Sequence, residues 1–112
     1  MTVALIEGEA SCSVDVPLAR YEIGERVTIA VRSGDILLAT EEPRATSARN
    51  VLHGEVSSIE ERGGYVLVRV ACGVVWSVSV TRQAVEELQI VNAARVWLAI
   101  KSHSCHLLNT DE

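Results

Sequence analysis

The chain has 112 residues, enough for one compact domain or for two small β units that share a core. Hydrophobic residues make up 48% of it and charged residues 22%, which is typical of a folded domain and argues against a disordered chain. The formal net charge is −5 and the basic residues are scattered, which argues against a nucleic-acid surface. Because the apolar runs are too short for a membrane helix and the N-terminus lacks the features of a secretory signal, we expect a cytoplasmic location.

Short runs rich in Val, Ile, Thr and Leu, bounded by Gly, Asp, Asn and Pro, predict an all-β protein. A first set of predicted strands comprises Val3–Ile6, Cys12–Val16, Arg26–Arg32 and Ile36–Ala39. A second set comprises Val51–Ile59, Tyr65–Ala71, Val75–Val80, Arg95–Lys101 and His106–Leu108. The five strands of the second set fit a small closed barrel. Strand alternation predicts that Val66, Val68 and Val70 face its core.

Two turns and one helix interrupt the predicted strands. Segments 32–35 and 61–64 each place Gly where a hairpin loop needs a positive φ, so both are predicted to form hairpins. The segment Thr81–Leu88 has a candidate N-cap in Thr81 and apolar residues on one helical face. This pattern predicts a helix of about two turns that closes one end of the barrel.

Pro43 marks the predicted boundary inside the chain, because it lies in a polar stretch and cannot join a central strand. We therefore divide the chain into a partial β unit, residues 1–43, and a barrel, residues 44–112. The sequence shows no clear internal repeat.

The three cysteines, Cys12, Cys72 and Cys105, are far apart and odd in number. They predict small buried side chains rather than a disulfide framework or a CxxC metal motif. Two histidines flank Cys105, but strand alternation would place His103 and Cys105 on one face and His106 on the other. We therefore expect no metal site there.

Two polar segments supply many hydrogen-bond donors in a small volume. Thr46–Asn50 carries two hydroxyls, a guanidinium and an amide just before a strand. Ile100–Ser104 carries an ammonium and two hydroxyls at the end of another strand. Charge-assisted and neutral donors in fixed positions stabilise a tetrahedral dianion. From composition alone, ordinary turn-forming and solvated side chains remain the better explanation.

The order of these residues resembles a known family. The run Ser47–Val56 resembles the S-x-R-N-x-[hydrophobic]-x-G-x-V opening of TOBE, or molybdenum-pterin-binding-like, domains. Further landmarks follow in family order, so that the resemblance extends from residue 46 to about residue 108: Ser79–Thr81, Ala84, Leu88 and Val96–Ser102. The resemblance implies an all-β fold, an OB-like five-stranded barrel with one short helix, preceded by a partial second β unit.

In the families that this sequence resembles, an oxyanion lies at the interface between two such barrels. The ligand that the resemblance implies is molybdate or tungstate, without an organic cofactor or metal. It implies a homodimer, because one barrel end offers too few donors to replace the hydration of a dianion. The oxyanion-binding residues that the resemblance implies are Ser47, Arg49, Lys101 and Ser102, assisted by backbone N–H groups near Ala48 and Asn50. Thr81 is a weaker candidate for oxyanion binding, and its alternative role is the helix N-cap.

The N-terminal unit carries a second resemblance. Arg26–Ala39, followed by Pro43, resembles the C-terminal regulatory region of molybdate-importer ATPases. No GxxxxGK[ST] phosphate-binding loop is present, so we do not expect this chain to be an enzyme. The resemblance implies a domain that senses intracellular oxyanion, with importer ATPase subunits as partners at the inner face of the membrane. Two alternatives remain: a stand-alone molybdate storage protein, and a structural module that only dimerises transporter ATPase subunits.

Overall fold

The computed structural model describes residues 2–6 and 27–108. Within these ranges the chain is mostly strands with one short α-helix, as the sequence predicts. The predicted strand Cys12–Val16 lies outside the described residues. The elements in chain order are β1 Thr2–Ile6, β2 Val27–Val31, a first 3₁₀ turn Ser33–Asp35, β3 Leu37–Ala39, β4 Asn50–Arg62, β5 Tyr65–Cys72, β6 Val74–Val80, α1 Arg82–Leu88, β7 Arg95–Ile100, a second 3₁₀ turn Ser102–Ser104 and β8 His106–Leu108.

The described strands form two antiparallel sheets, one with the order β1-β2-β8 and one with the order β3-β7-β4-β5-β6. The second sheet has five strands, as predicted, but it is open, with β3 and β6 at its edges. Its fifth strand is β3, which comes from the first predicted set. The strand His106–Leu108, which we had assigned to the barrel, pairs with β2 instead.

The two sheets are linked by a reciprocal exchange of short strands. The strand that follows β2 pairs with β7, and the strand that follows β7 pairs with β2. Leu38 lies opposite Leu98, and Leu107 lies opposite Ile29. Leu98 comes 69 residues after Ile29, and Leu107 comes 69 residues after Leu38, so the two pairings have the same register. The segments 27–39 and 95–108 are therefore paired with each other in a reciprocal register, and strands from both sides of residue 43 pair with each other.

The two 3₁₀ turns that carry this exchange are closed by equivalent hydrogen bonds. Asp35 N–H donates to the Arg32 carbonyl over 2.9 Å, and Ser104 N–H donates to the Lys101 carbonyl over 3.0 Å. The prediction of a hairpin at 32–35 was wrong, because β2 and β3 lie in different sheets and Gly34 has no positive φ. The hairpin at 61–64 is confirmed, with a φ of 64° at Gly63.

The core consists of apolar side chains from both sheets. The prediction that Val66, Val68 and Val70 face the core is confirmed, since all three are buried. The helix α1 packs its apolar residues Val85 and Leu88 against this core. Within the described ranges no helix is both long enough and apolar enough to cross a membrane.

Candidate anion-binding site

The two predicted polar segments adjoin the same end of the β4–β7 pair. β4 begins at Asn50, which lies opposite Ile100, the last residue of β7. The next residues beyond this pair are Arg49 on one chain segment and Lys101 on the other. Paired strands lie about 5 Å apart, so Arg49 and Lys101 adjoin the two strands at the same end of the sheet.

The two basic residues at this end, Arg49 and Lys101, are exposed. Within residues 2–6 and 27–108, neither has a carboxylate at ion-pair distance, and the same holds for Arg32. The remaining described arginines pair with glutamates, as Arg44–Glu42, Arg62–Glu60, Arg69–Glu60, Arg82–Glu61 and Arg95–Glu55. The β4–β7 end therefore concentrates positive charge in a chain whose net charge is negative.

The hydroxyl and backbone donors of the site have different surroundings. Ser47 is exposed and Ser102 is half-buried. Ala48 N–H donates to Thr46 Oγ1 over 3.1 Å, so this predicted backbone donor is used within its own turn. Just before the segment, Ala45 has a φ of 53°, in the left-handed region that costs a residue with a side chain some strain.

The side chain of Asn50 is buried, unlike its neighbours in the segment. Its Nδ2 lies 3.8 Å from Cys105 Sγ, and that sulfur lies 3.7 Å from the Lys101 carbonyl. The amide therefore faces the core side of the second 3₁₀ turn. The predicted donors divide into a solvent-accessible group, Ser47, Arg49, Lys101 and Ser102, and this buried amide.

Thr81 lies at the other end of the sheet. Val80 pairs with Val66, and Val66 pairs with Glu61, eleven residues along β4 from Asn50. The Thr81 hydroxyl accepts a hydrogen bond from Ala84 N–H over 3.0 Å and caps α1. The structure of this chain does not bring Thr81 to the other candidate residues.

The histidines around Cys105 do not converge. Residues 102–104 form a 3₁₀ turn rather than a strand, so the predicted sharing of one face by His103 and Cys105 was wrong. Cys105 is buried, whereas His103 and His106 are exposed. Among the described residues no group of three His, Cys, Asp or Glu side chains is placed to hold a metal ion.

The sequence reasoning missed a second loop of the same form. Ala30-Val31-Arg32-Ser33 leads into the first 3₁₀ turn and includes its first residue, just as Ala99-Ile100-Lys101-Ser102 does for the second. The signal was present in the sequence as two similar tetrapeptides 69 residues apart. The turns differ at their second residue, Gly34 against His103, and at their third, Asp35 against Ser104.

Comparisons with known proteins come from sequence and from structure. The TOBE domain family model matches residues 46–107. The molybdenum import ATP-binding protein ModC of Mannheimia succiniciproducens is 35% identical over 103 residues, which are 90% of this chain and 28% of that protein. The molybdate/tungstate import ATP-binding protein WtpC of Pyrococcus abyssi is 40% identical over 78 residues, 69% of this chain and 22% of that protein. The chain thus spans less than a third of the length of these relatives.

A solved structure shares the fold. It is the cytoplasmic molybdate-binding protein ModG, in a crystal form with molybdate bound. The TM-score is 0.69 at 32% sequence identity, and the match covers 75% of this chain and 62% of that chain. Similarity therefore extends from the sequence motif to the arrangement of the strands.

Proposed function

This chain belongs to the TOBE domain family, and from that premise we propose that it binds a tetrahedral oxyanion, molybdate or tungstate, at the end of the β4–β7 pair. Membership confirms the resemblance inferred from the run Ser47–Val56. One observation carries the proposal: Arg49 and Lys101 lie together at a strand end without a carboxylate partner among the described residues.

The charge of this pair matches the ligand. A guanidinium and an ammonium together carry two positive charges, which balance the two negative charges of molybdate or tungstate. Arg49 supplies a planar set of N–H donors, Lys101 supplies a point charge, and Ser47 and Ser102 supply neutral donors. A dianion is desolvated at a tolerable cost only when such donors replace its hydration shell.

The exposure of Arg49 and Lys101 in the single chain supports a homodimer. A second copy would cover the open side of the site, exclude water and add donors of its own. Lower local polarity strengthens the attraction between the anion and the two cations. We therefore place the oxyanion at an interface between two chains.

The relatives point to the biological role. ModC and WtpC are named as import ATP-binding proteins for molybdenum and for molybdate or tungstate, and this chain matches about a quarter of their length. We propose that this chain is a regulatory binding module that senses intracellular oxyanion for such an importer, with ATPase subunits as its partners. The chemistry of ATP hydrolysis would then belong to other parts of the system.

A second candidate function is storage or buffering of molybdate. The observation that favours it is the shared fold with ModG, a molybdate-binding protein. Sedimentation equilibrium with molybdate present distinguishes the two roles. A homodimer supports the regulatory module, and a larger closed assembly supports storage.

Isothermal titration of the purified chain with molybdate, tungstate and sulfate tests the proposed function. A charge-assisted hydrogen bond contributes about 1.5–3 kcal/mol, so Arg49→Ala and Lys101→Ala should each weaken molybdate binding by about tenfold or more. Arg95→Ala is the matched control, because it removes one positive charge at the opposite end of β7, where Arg95 faces Glu55. The control should keep its affinity within about twofold. Absence of heat with millimolar molybdate, or an equal loss in the control, would overturn the proposal.

A further inference from the structure

We propose that Cys105 and Asn50 are positioning residues of the oxyanion site, which hold Lys101 and Arg49 at the correct spacing without touching the anion. This inference rests on the proposed function. It assigns a role to a thiol and an amide that are both buried and that join the two polar segments from the inside.

The contacts form a short chain across the two strands. Asn50 Nδ2 donates toward Cys105 Sγ over 3.8 Å, and the thiol donates toward the Lys101 carbonyl over 3.7 Å. A thiol can do both, because sulfur is a weak acceptor and S–H a weak donor. The exposed fraction is 3% at Asn50 and 1% at Cys105, so solvent competes little for these weak bonds.

These contacts act on the backbone that carries the charges. Arg49 directly precedes Asn50, and the carbonyl that Cys105 contacts belongs to Lys101 itself. The same carbonyl accepts the hydrogen bond from Ser104 N–H that closes the 3₁₀ turn. Fixing this carbonyl fixes the peptide group that leads to Ser102. Donors for a ligand work best when a second set of contacts holds them in place.

The first half of the chain provides an internal comparison. Ile36 holds the position of Cys105 after the first 3₁₀ turn and is buried to a similar degree, 2% exposed. A branched aliphatic side chain therefore fits this kind of position by packing alone. Cys105 adds a hydrogen bond with the Asn50 amide, which Ile36 cannot make. This bond lies in the half of the chain where the strand that begins at Asn50 pairs with β7.

The test separates packing from positioning with two substitutions at one site. Cys105→Val keeps a buried apolar side chain but loses the link, and Cys105→Ser keeps a donor and acceptor but packs less well. If Cys105 has only a structural role, Cys105→Val should preserve both the free energy of unfolding and the molybdate affinity better than Cys105→Ser. If Cys105 is a positioning residue, Cys105→Val should be the more stable variant, and Cys105→Ser should bind molybdate more tightly.

We expect Cys105→Val to weaken molybdate binding by about threefold to tenfold in isothermal titration, with Cys105→Ser closer to wild type. Ile36→Val is the control and should leave the affinity unchanged. Asn50→Leu should weaken binding as Cys105→Val does, and the double variant should lose little more than either single variant. Equal affinities of the Val and wild-type proteins, or tighter binding by the Val than by the Ser variant, would overturn the inference.

Hydrogen exchange of the turn gives a readout that does not need the anion. In the positioning account, the amides of residues 102–105 exchange faster in Cys105→Val than in Cys105→Ser, and Ile36→Val leaves them unchanged. If wild type shows no heat with molybdate, the proposed function fails, and this comparison still decides whether the thiol holds the turn. Exchange rates that are the same in the Val and Ser variants would show that it does not.

Discussion

Arg32 and Lys101 occupy equivalent places in the two halves of the chain. Each follows a strand with a buried end and precedes a 3₁₀ turn, and their backbone angles are φ −68°, ψ 134° and φ −71°, ψ 142°. Their neighbours differ: β2 lies between β1 and β8, whereas β7 lies between β3 and β4. The Lys101 turn therefore lies beside the segment that carries Arg49. The Arg32 turn contains a carboxylate, Asp35, where the other has Ser104.

This asymmetry predicts one oxyanion for each chain rather than two. The Asp35 carboxylate would repel a dianion at the first turn, while Ser104 adds no charge at the second. We expect isothermal titration to give about one molybdate per chain, and Arg32→Ala to reduce the affinity much less than Lys101→Ala. Two equivalents per chain, or equal losses from the two substitutions, would show that both turns bind the anion.

Replacing Thr81 with alanine is expected to lower stability without changing the molybdate affinity. Its hydroxyl caps α1 by accepting from Ala84 N–H, at the end of the sheet away from Arg49 and Lys101. Thr81→Ala should lower the free energy of unfolding by about 1 kcal/mol in urea titrations. The molybdate affinity should stay at the wild-type value. A variant that kept its stability and lost molybdate binding would place Thr81 in the site.

Local structure was predictable from the sequence, and the pairing of the short strands was not. The alternation of Val66, Val68 and Val70 and the cap at Thr81 are properties of neighbouring residues, and both predictions were confirmed. The exchange of β3 and β8 depends on which partner strand is available, and apolar patterning carries no such information. The hairpin predicted at 32–35 failed for this reason.

The candidate site was also predictable only in part from the sequence. Family order located the two polar segments, and the structure places one end of each at the Asn50–Ile100 pair. Burial of the Asn50 side chain against Cys105 could not be predicted, because it depends on the 3₁₀ turn that directs Cys105 inward. The loop at Arg32 has only a similar tetrapeptide as its signal in the sequence, and the pairing of the exchanged strands establishes its register.

Gly54, the glycine of the family pattern, predicts a large loss of stability on substitution. An added Cβ would lie 2.5 Å from the Ala71 carbonyl oxygen and 2.9 Å from Val70 Cγ1. Gly54→Ala should therefore lower the free energy of unfolding by about 1–3 kcal/mol, measured by urea denaturation. Gly34→Ala is the control, since a Cβ there meets nothing within 4 Å, and it should stay within about 0.5 kcal/mol of wild type. Similar losses in both variants would contradict the steric explanation.

Replacing Gln89 with glycine is expected to increase stability. It ends α1 with a φ of 55° and a ψ of 48°, in the left-handed region where glycine is favoured. Gln89→Gly should raise the free energy of unfolding by about 0.5–1 kcal/mol. Gln83→Gly, inside the same helix, should lower it by about 1 kcal/mol. A loss of stability at both positions would show that the cap geometry is not decisive.

Anomalous diffraction at the molybdenum edge locates the oxyanion directly. Crystals grown with saturating molybdate should show a molybdenum peak at the end of the β4–β7 pair. Its oxygen atoms should lie within hydrogen-bond distance of an Arg49 guanidinium and a Lys101 ammonium, contributed by one chain or by two. A peak remote from both side chains, or no peak at saturation, would show that Arg49 and Lys101 do not form the oxyanion site.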